Sequence, residues 1–352
     1  MNRECNTVCF YAVNAGALAV MSPLVAGCPD DINCFWAADG FAESELRKSG
    51  TVPVAMEEVL KRNSNAPGDP ALLVLGSQHQ FSKTVSILKA CERAGVKTVF
   101  IFDHWSPYLD HFMSSDGCLV LPKHIFAIDE YLETSLLSIG VPKDSISIVG
   151  HPGIENKTET IKFMSGKKKK ALKNVLGVNP DAKVVLLALE LMDLKFNADA
   201  EYGPVLNTLQ AFKEIDDNNL HLVIKMHPHQ SRKRFLEYIR HYKIENELII
   251  CPEKLRDFEA IAIADIIIGT NSTFLVIPLI LGISTICIGF RPENEPRQIT
   301  IPYLRRITVK TKSEMLNAIS ECVTRDSGSG IPFPTDSVNK TWKSIRNQLK
   351  MV

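Results

Sequence analysis

The chain has no Cys-x-x-Cys pair, no Asp-x-Asp triplet, no surplus charge of either sign and no unbroken apolar run long enough to cross a bilayer. Each absence excludes a class of function. Nine cysteines, scattered and mostly inside apolar segments, form no cluster with zinc spacing and read as reduced, buried thiols. Forty basic residues balance forty acidic ones among 352, so no global field draws the protein to nucleic acid. Two uncharged stretches, 7–29 and 266–290, are interrupted by Asn14, Gly16, Ser22 and Pro23 in the first and by 269–273 in the second. Neither suits a membrane span, and the N-terminal one lacks the basic flank and dense apolar core of a signal peptide. The expectation is a cytoplasmic protein without metal or cofactor.

What remains is an alternation of β-branched runs with amphipathic segments, the pattern of a parallel sheet covered on both faces. In the first half, strands are predicted from Thr7, Ile32, Ala71, Lys97, Gly117, His124 and Ser145, with a helix from Ser82 to Gly95 between two of them. The stretch "GHPGIENKTETIKFMSGKKKK" then breaks the rhythm and reads as a solvated linker. Its lysine run is also a candidate hook for an anionic, lipid-linked molecule. Strands resume at Lys183, Leu220, Glu247, Ala264 and Ser284, with helices expected near 201–216, 230–242, 256–262, 273–282, 312–323 and 337–350. The fold class is therefore α/β, with two Rossmann-like domains facing a cleft. An N-terminal domain covers 1–155, a linker 156–178 and a second domain 179–310, and helices in 311–352 close the fold.

Two strand ends carry chemistry. "HLVIKMHPHQ" stops on His227-Pro228, where proline ends the ladder and a histidine leaves the sheet. Such a histidine can donate to a phosphate oxygen, and Lys225, two residues back, shares its face. "ADIIIGTNSTFLVIPLILG" stops on Gly269-Thr270-Asn271-Ser272-Thr273. Gly269 permits a tight turn, and Asn271, Ser272 or Thr273 can cap the next helix, whose N-terminus attracts anions. We expect the two ends to grip one phosphate.

With "KMHP" and "GTNST" about forty-five residues apart in the second of two such halves, the sequence resembles glycosyltransferases of the GT-B architecture. It is most similar to their His-Pro-containing group: bacterial sialyltransferases, capsule Kdo transferases and CDP-glycerol glycerophosphotransferases. The resemblance implies that His227, Ser272 and Thr273 hold the donor's phosphate, and that Glu293 lies where the ribose or base is contacted. Sialyltransferases of this kind use an acidic pair before a glycine as base, whereas the nearest match here is "AADG", with Asp39 alone.

Asp39 and Asp103 both follow predicted strands and compete as the base that activates an acceptor hydroxyl. Asp103 is favoured for its neighbours His104, Trp105 and Tyr108, whose rings can stack on a sugar. Glu190 opens the first crossover of the second domain and is a donor-site candidate. Asn14 and Gly16 form a candidate acceptor loop, and His151-Pro152 reads as a hinge. The expected function is metal-independent transfer of a sugar, or a glycerophosphate-like group, from a CMP- or CDP-linked donor. The acceptor is a glycan or lipid-linked molecule of the cell surface, reached with peripheral association at the inner face of the membrane. Two rivals are kept. One is a UDP-N-acetylglucosamine 2-epimerase-like isomerase, whose His-Arg and Glu-Asn stretch is missing here; the other is a non-catalytic nucleotide-binding subunit.

Overall fold

The computed structural model describes residues 7–61, 70–78, 81–106, 109–190, 198–215, 219–227, 230–290, 296–324 and 328–350. The chain divides into two compact units, 1–156 with 333–352, and 157–332.

The first unit is built on β1 (Thr7–Ala12), α1 (Ala15–Ala26), β2 (Asn33–Ala38), α2 (Gly40–Lys48), α3 (Met56–Lys61), β3 (Leu72–Gly76), α4 (Phe81–Ala94), β4 (Lys97–Ile101), β5 (His124–Ala127), α5 (Glu130–Ser138), β6 (Ile146–Ile148) and the start of α6 (Pro152–Lys162), whose residues from Lys157 on belong to the second unit. Its strands lie parallel in the order β2-β1-β3-β4-β5-β6. All six residues of β1 are buried, which is why the strand reads as a continuous apolar run with no alternation. The switch in strand order falls between β1 and β3, where ligands of open α/β sheets are expected.

The second unit adds α7 (Gly166–Val175), β7 (Lys183–Ala188), α8 (Ala198–Lys213), β8 (Leu220–Lys225), α9 (Arg232–His241), β9 (Ile249–Ile250), α10 (Asp257–Ile263), β10 (Ile266–Gly269), α11 (Val276–Ile280), β11 (Ser284–Ile288), β12 (Thr308–Val309) and α12 (Lys312–Thr324). Its parallel order, β9-β8-β7-β10-β11-β12, is the 3-2-1-4-5-6 arrangement of dinucleotide-binding sheets, with the switch between β7 and β10. The core packs Leu187, Ile224 and Ile268 from the sheet against Tyr202, Phe235 and Met315.

The last helix, α13 (Ser337–Lys350), returns to the first unit. Trp342 meets Phe10 edge-on with ring centroids 5.8 Å apart and donates its indole N–H to Leu24 O at 3.0 Å. The Glu155 carboxylate accepts from Asp336 N at 2.5 Å and Ser337 N at 2.7 Å, satisfying N–H groups at the start of α13. The segment expected to close the fold, 311–352, is thus shared: α12 belongs to the second unit and α13 to the first.

The structure corrects several readings. The expected linker 156–178 is helical. Pro152 stands first in α6, which buries Ile154 and Ile161; Ser165 caps α7 by accepting from Lys168 N at 3.3 Å, and ion pairs of Lys168 and Lys173 hold α7, which has no buried residue. The apolar run from Gly117 is no strand, because Gly117 takes φ +79 and Ser114 closes a turn on Cys118. Cys28 and Cys34 form a disulfide. Gly27 ends α1 and β2 runs back alongside, which brings the two Cα atoms within 6.7 Å. Among the described residues the six other cysteines are free thiols. Among the described residues no helix is long and apolar enough to cross a membrane.

Candidate functional site

At the switch point of the first sheet, Asn14 follows β1 and caps α1, its Oδ1 accepting from Ala17 N at 2.8 Å. Its Nδ2 donates across the switch to Ser77 O, past the end of β3, at 2.9 Å. The Ser77 hydroxyl in turn donates to the Asp103 carboxylate, which follows β4. That carboxylate rests against Gly16 in the first turn of α1, so closely that any Cβ there would collide with it. Asn14 and Gly16, expected as an acceptor loop, therefore shape the seat of Asp103. His151 does the same from α6. Its Nδ1 accepts from Ile154 N at 3.1 Å, leaving Nε2–H to donate to Asp103 O at 3.2 Å.

The two candidate bases are separated by their surroundings. Burial pushes the Asp103 carboxyl up to about 6. Burial pushes Asp39 up as well, but hydrogen bonds from Lys83 at 2.8 Å and Tyr11 at 2.6 Å outweigh it and hold the carboxyl below its usual value. An ion-paired carboxylate is the weaker base. His104 is half-buried, and burial lowers its pKa, favouring the neutral ring. Trp105 is not a sugar platform. It is only 3% exposed, and its indole N–H is spent on Asp129 Oδ2 at 2.7 Å, the residue that caps α5.

At the switch point of the second sheet, the Thr270 hydroxyl, after β10, donates to the Glu190 carboxylate, after β7. Arg297 lies 3.7 Å from the same carboxylate, its side chain 9% exposed, and donates through Nε to Phe290 O at 3.1 Å. Burial raises the Glu190 pKa against the opposing pull of Thr270 and Arg297. Gln230 ties in β8: its Nε2 donates to Glu190 O at 3.0 Å and its Oε1 accepts from His227 N at 2.8 Å. One hydrogen-bonded chain thus runs from the end of β8 through β7 to β10.

Beside it, Lys225, Met226, His227, Gln230, Arg232, Cys251, Pro252 and Glu253 line a pocket of about 220 Å³ at the ends of β8 and β9. The volume suits part of a nucleotide, below the usual range for a whole drug-sized ligand. Lys225 reaches Asp257 at 3.4 Å. The structure brings Lys225 and His227 into this pocket and joins Glu190 to Thr270, but it does not set Ser272 and Thr273 among the pocket's walls. Ser272 caps a single 3-10 turn, accepting from Phe274 N at 3.3 Å. The helix expected over 273–282 is that turn, Thr273–Leu275, followed by the five residues of α11, so its dipole is short. Asn271 is committed to Thr300 and Ile301, accepting from their N–H groups at 3.0 and 3.2 Å. Gly269 sits close to Leu275, whose side-chain end would stand 3.0 Å from a Cβ there and would have to give slightly. Tyr108, Pro228 and Glu293 lie outside the described residues.

Gln230, Arg297, Ser77 and Lys83 went unnoticed in the sequence. His151-Pro152 carried a signal, because it repeats the dipeptide of His227-Pro228, yet the residue supports Asp103 in addition to starting α6. Among the described residues no His, Cys, Asp and Glu group has the arrangement of a metal site.

No protein-family model matches the chain, and no curated protein sequence does. Solved structures match along nearly its whole length. UDP-GlcNAc 2-epimerase from Neisseria meningitidis, bound to UDP-GlcNAc, is 14% identical with a TM-score of 0.69, covering 98% of this chain and 100% of that one. A glycosyltransferase from Rickettsia africae is 13% identical with a TM-score of 0.61, covering 99% and 100%. The Anabaena protein HepE, in complex with UDP and glucose, is 12% identical with a TM-score of 0.61, covering 97% and 95%. At such identities the likeness establishes the fold: the chain has the two-domain, Rossmann-like α/β architecture of these GT-B-type proteins.

Proposed function

We propose that this protein is an enzyme acting on a nucleotide-activated sugar, and that it transfers the sugar to an acceptor hydroxyl. The observation that carries the reading is the pocket at the end of β8, where Lys225 and Arg232 supply positive charge and His227 a ring nitrogen, with Glu253 as the acid in its wall. Such groups stabilise the phosphate that departs when the anomeric carbon–oxygen bond breaks. The acceptor oxygen forms the new bond, and its proton passes to a carboxylate, for which Asp103 is better suited than Asp39. A pyrimidine nucleotide is the expected donor handle. The Neisseria and Anabaena structures carry UDP-GlcNAc or UDP, while the His-Pro resemblance favours CMP or CDP.

A second reading, 2-epimerisation of UDP-GlcNAc, is favoured by the higher TM-score to the epimerase. Against it, the chain has no His-Arg dipeptide. Incubation with UDP-GlcNAc, UDP-glucose and a CMP-linked sugar, followed by NMR, separates the two. Nucleotide release with hydrolysis or transfer supports the first, and a 2-epimer of the intact nucleotide sugar supports the second. Under either, His227→Ala is expected to lower turnover by about 10²-fold or more with the fold intact. Unchanged turnover would remove His227 from the site, and nucleotide binding without turnover on any substrate would favour a binding subunit.

A further inference from the structure

We propose that the surface formed by the end of α6 and the exposed side of α7 docks the protein onto an anionic lipid bilayer. The observation is a local excess of charge in a molecule of no net charge. Residues 157–175 carry seven lysines and one acid, Glu159. Four of those lysines have internal partners: Lys157 lies 3.8 Å from Asp257, Lys168 3.7 Å from Glu259, Lys170 2.9 Å from Asp181 and Lys173 3.6 Å from Asp265. Lys173 also donates to Ala182 O at 2.7 Å. The contacts of Lys168, Lys170 and Lys173 fasten α7 to the body of the second unit and fix which side of it faces outward.

Lys162 and Lys167 are exposed and have no acidic partner among the described residues, whereas Lys169 is half-buried on the side of α7 that carries Leu172 and Lys173. In their midst stands Phe163, 86% exposed, and no large apolar side chain among the described residues is more so. Val175, at the far end of α7, is 55% exposed. An aromatic ring set in water beside unpaired ammonium groups satisfies nothing within this chain. It matches a bilayer surface, where lysines meet lipid phosphates and an aromatic ring enters the boundary between headgroups and acyl chains. Either signal alone is weak, and stable attachment needs both. A soluble polyanion would engage the lysines and leave Phe163 without a role. The inference stands whether or not the nucleotide-sugar reading does, because it involves none of the residues at the strand ends.

The test is co-sedimentation of the full chain with vesicles of phosphatidylglycerol and phosphatidylcholine, compared with phosphatidylcholine alone. Binding is expected to the anionic vesicles only and to weaken on going from about 0.1 to about 0.5 M salt. Each lysine is worth about fivefold at such a surface. Replacing Lys162 and Lys167 by Ala together is therefore expected to lower binding by about 25-fold, and by Arg to leave it intact. Phe163→Ala is expected to cost about tenfold. Equal binding to both vesicle types, no binding to either, or full binding by the double-Ala variant overturns the proposal. So does loss on lysine removal with none on Phe163→Ala, which is the signature of a soluble polyanion site. Thermal melting of each variant is expected to match that of the parent, since the changed side chains are at the surface.

Discussion

Asp103 is unusual because its carboxylate is pressed against a helix start, holds a serine hydroxyl and is lifted by burial to about 6. A base must be unprotonated, so kcat/KM is expected to rise with pH through about 6 and then level. Asp103→Asn is expected to lower turnover by about 10²-fold and to abolish that limb; a limb that survives assigns it to another group. Stability runs the opposite way. The folded-state pKa lies above the ordinary 3.8, so the folded protein binds this proton more tightly than the unfolded chain. The resulting stabilisation is complete below about 4 and lost as pH rises through about 6. Melting temperatures of the parent and Asp103→Asn are expected to differ more at pH 7.5 than at pH 4. Gly16 offers an independent handle. Gly16→Ala forces the carboxylate from its seat, and a several-fold or larger fall in turnover with unchanged nucleotide affinity is expected. Unaltered turnover would show that the position of Asp103 does not matter.

The elements whose character was legible are those buried on both faces. β1, β3, β7 and β10 are continuous apolar runs of four to six residues, and the structure buries them at nearly every position. α6 and α7 were not legible. α6 buries Ile154, Thr158 and Ile161 at helical spacing, a short period amid charge, while α7 is held by the Ser165 cap and by acids distant in sequence, Glu259 and Asp265, which no local pattern announces. α13 shows both conditions at once. Its bounds are plain in the sequence, but its place on the first sheet is set by Trp342, which is 5% exposed and packed on Phe10. Trp342→Ala is expected to cost about 3–5 kcal/mol, read as a fall in the denaturation midpoint. A loss below about 1 kcal/mol would mean that α13 is not part of the core.

For the whole molecule, the thermodynamic test of the proposed function is a thermal-shift panel of CMP, CDP, UDP and GDP. A nucleotide at about 100 times its Kd stabilises the folded protein by about 2.7 kcal/mol. A pyrimidine nucleotide is expected to stand out, and a preference for GDP would count against the donor class named above. Local pattern was enough to establish two successive α/β halves and to put His227, Glu190 and Thr270 at strand ends, because strand ends, proline and hydroxyl turns are encoded within a few residues of one another. It could not establish that the Thr270 hydroxyl would turn to Glu190 or that Arg297 and Gln230 would join them. Nor could it show that Trp105 would be buried on Asp129 while Asp103 lay against Gly16. Those pairings span from 24 to over 100 residues of chain, and only the parallel sheets, which gather the carboxyl ends of distant strands along one edge, bring them within hydrogen-bonding reach.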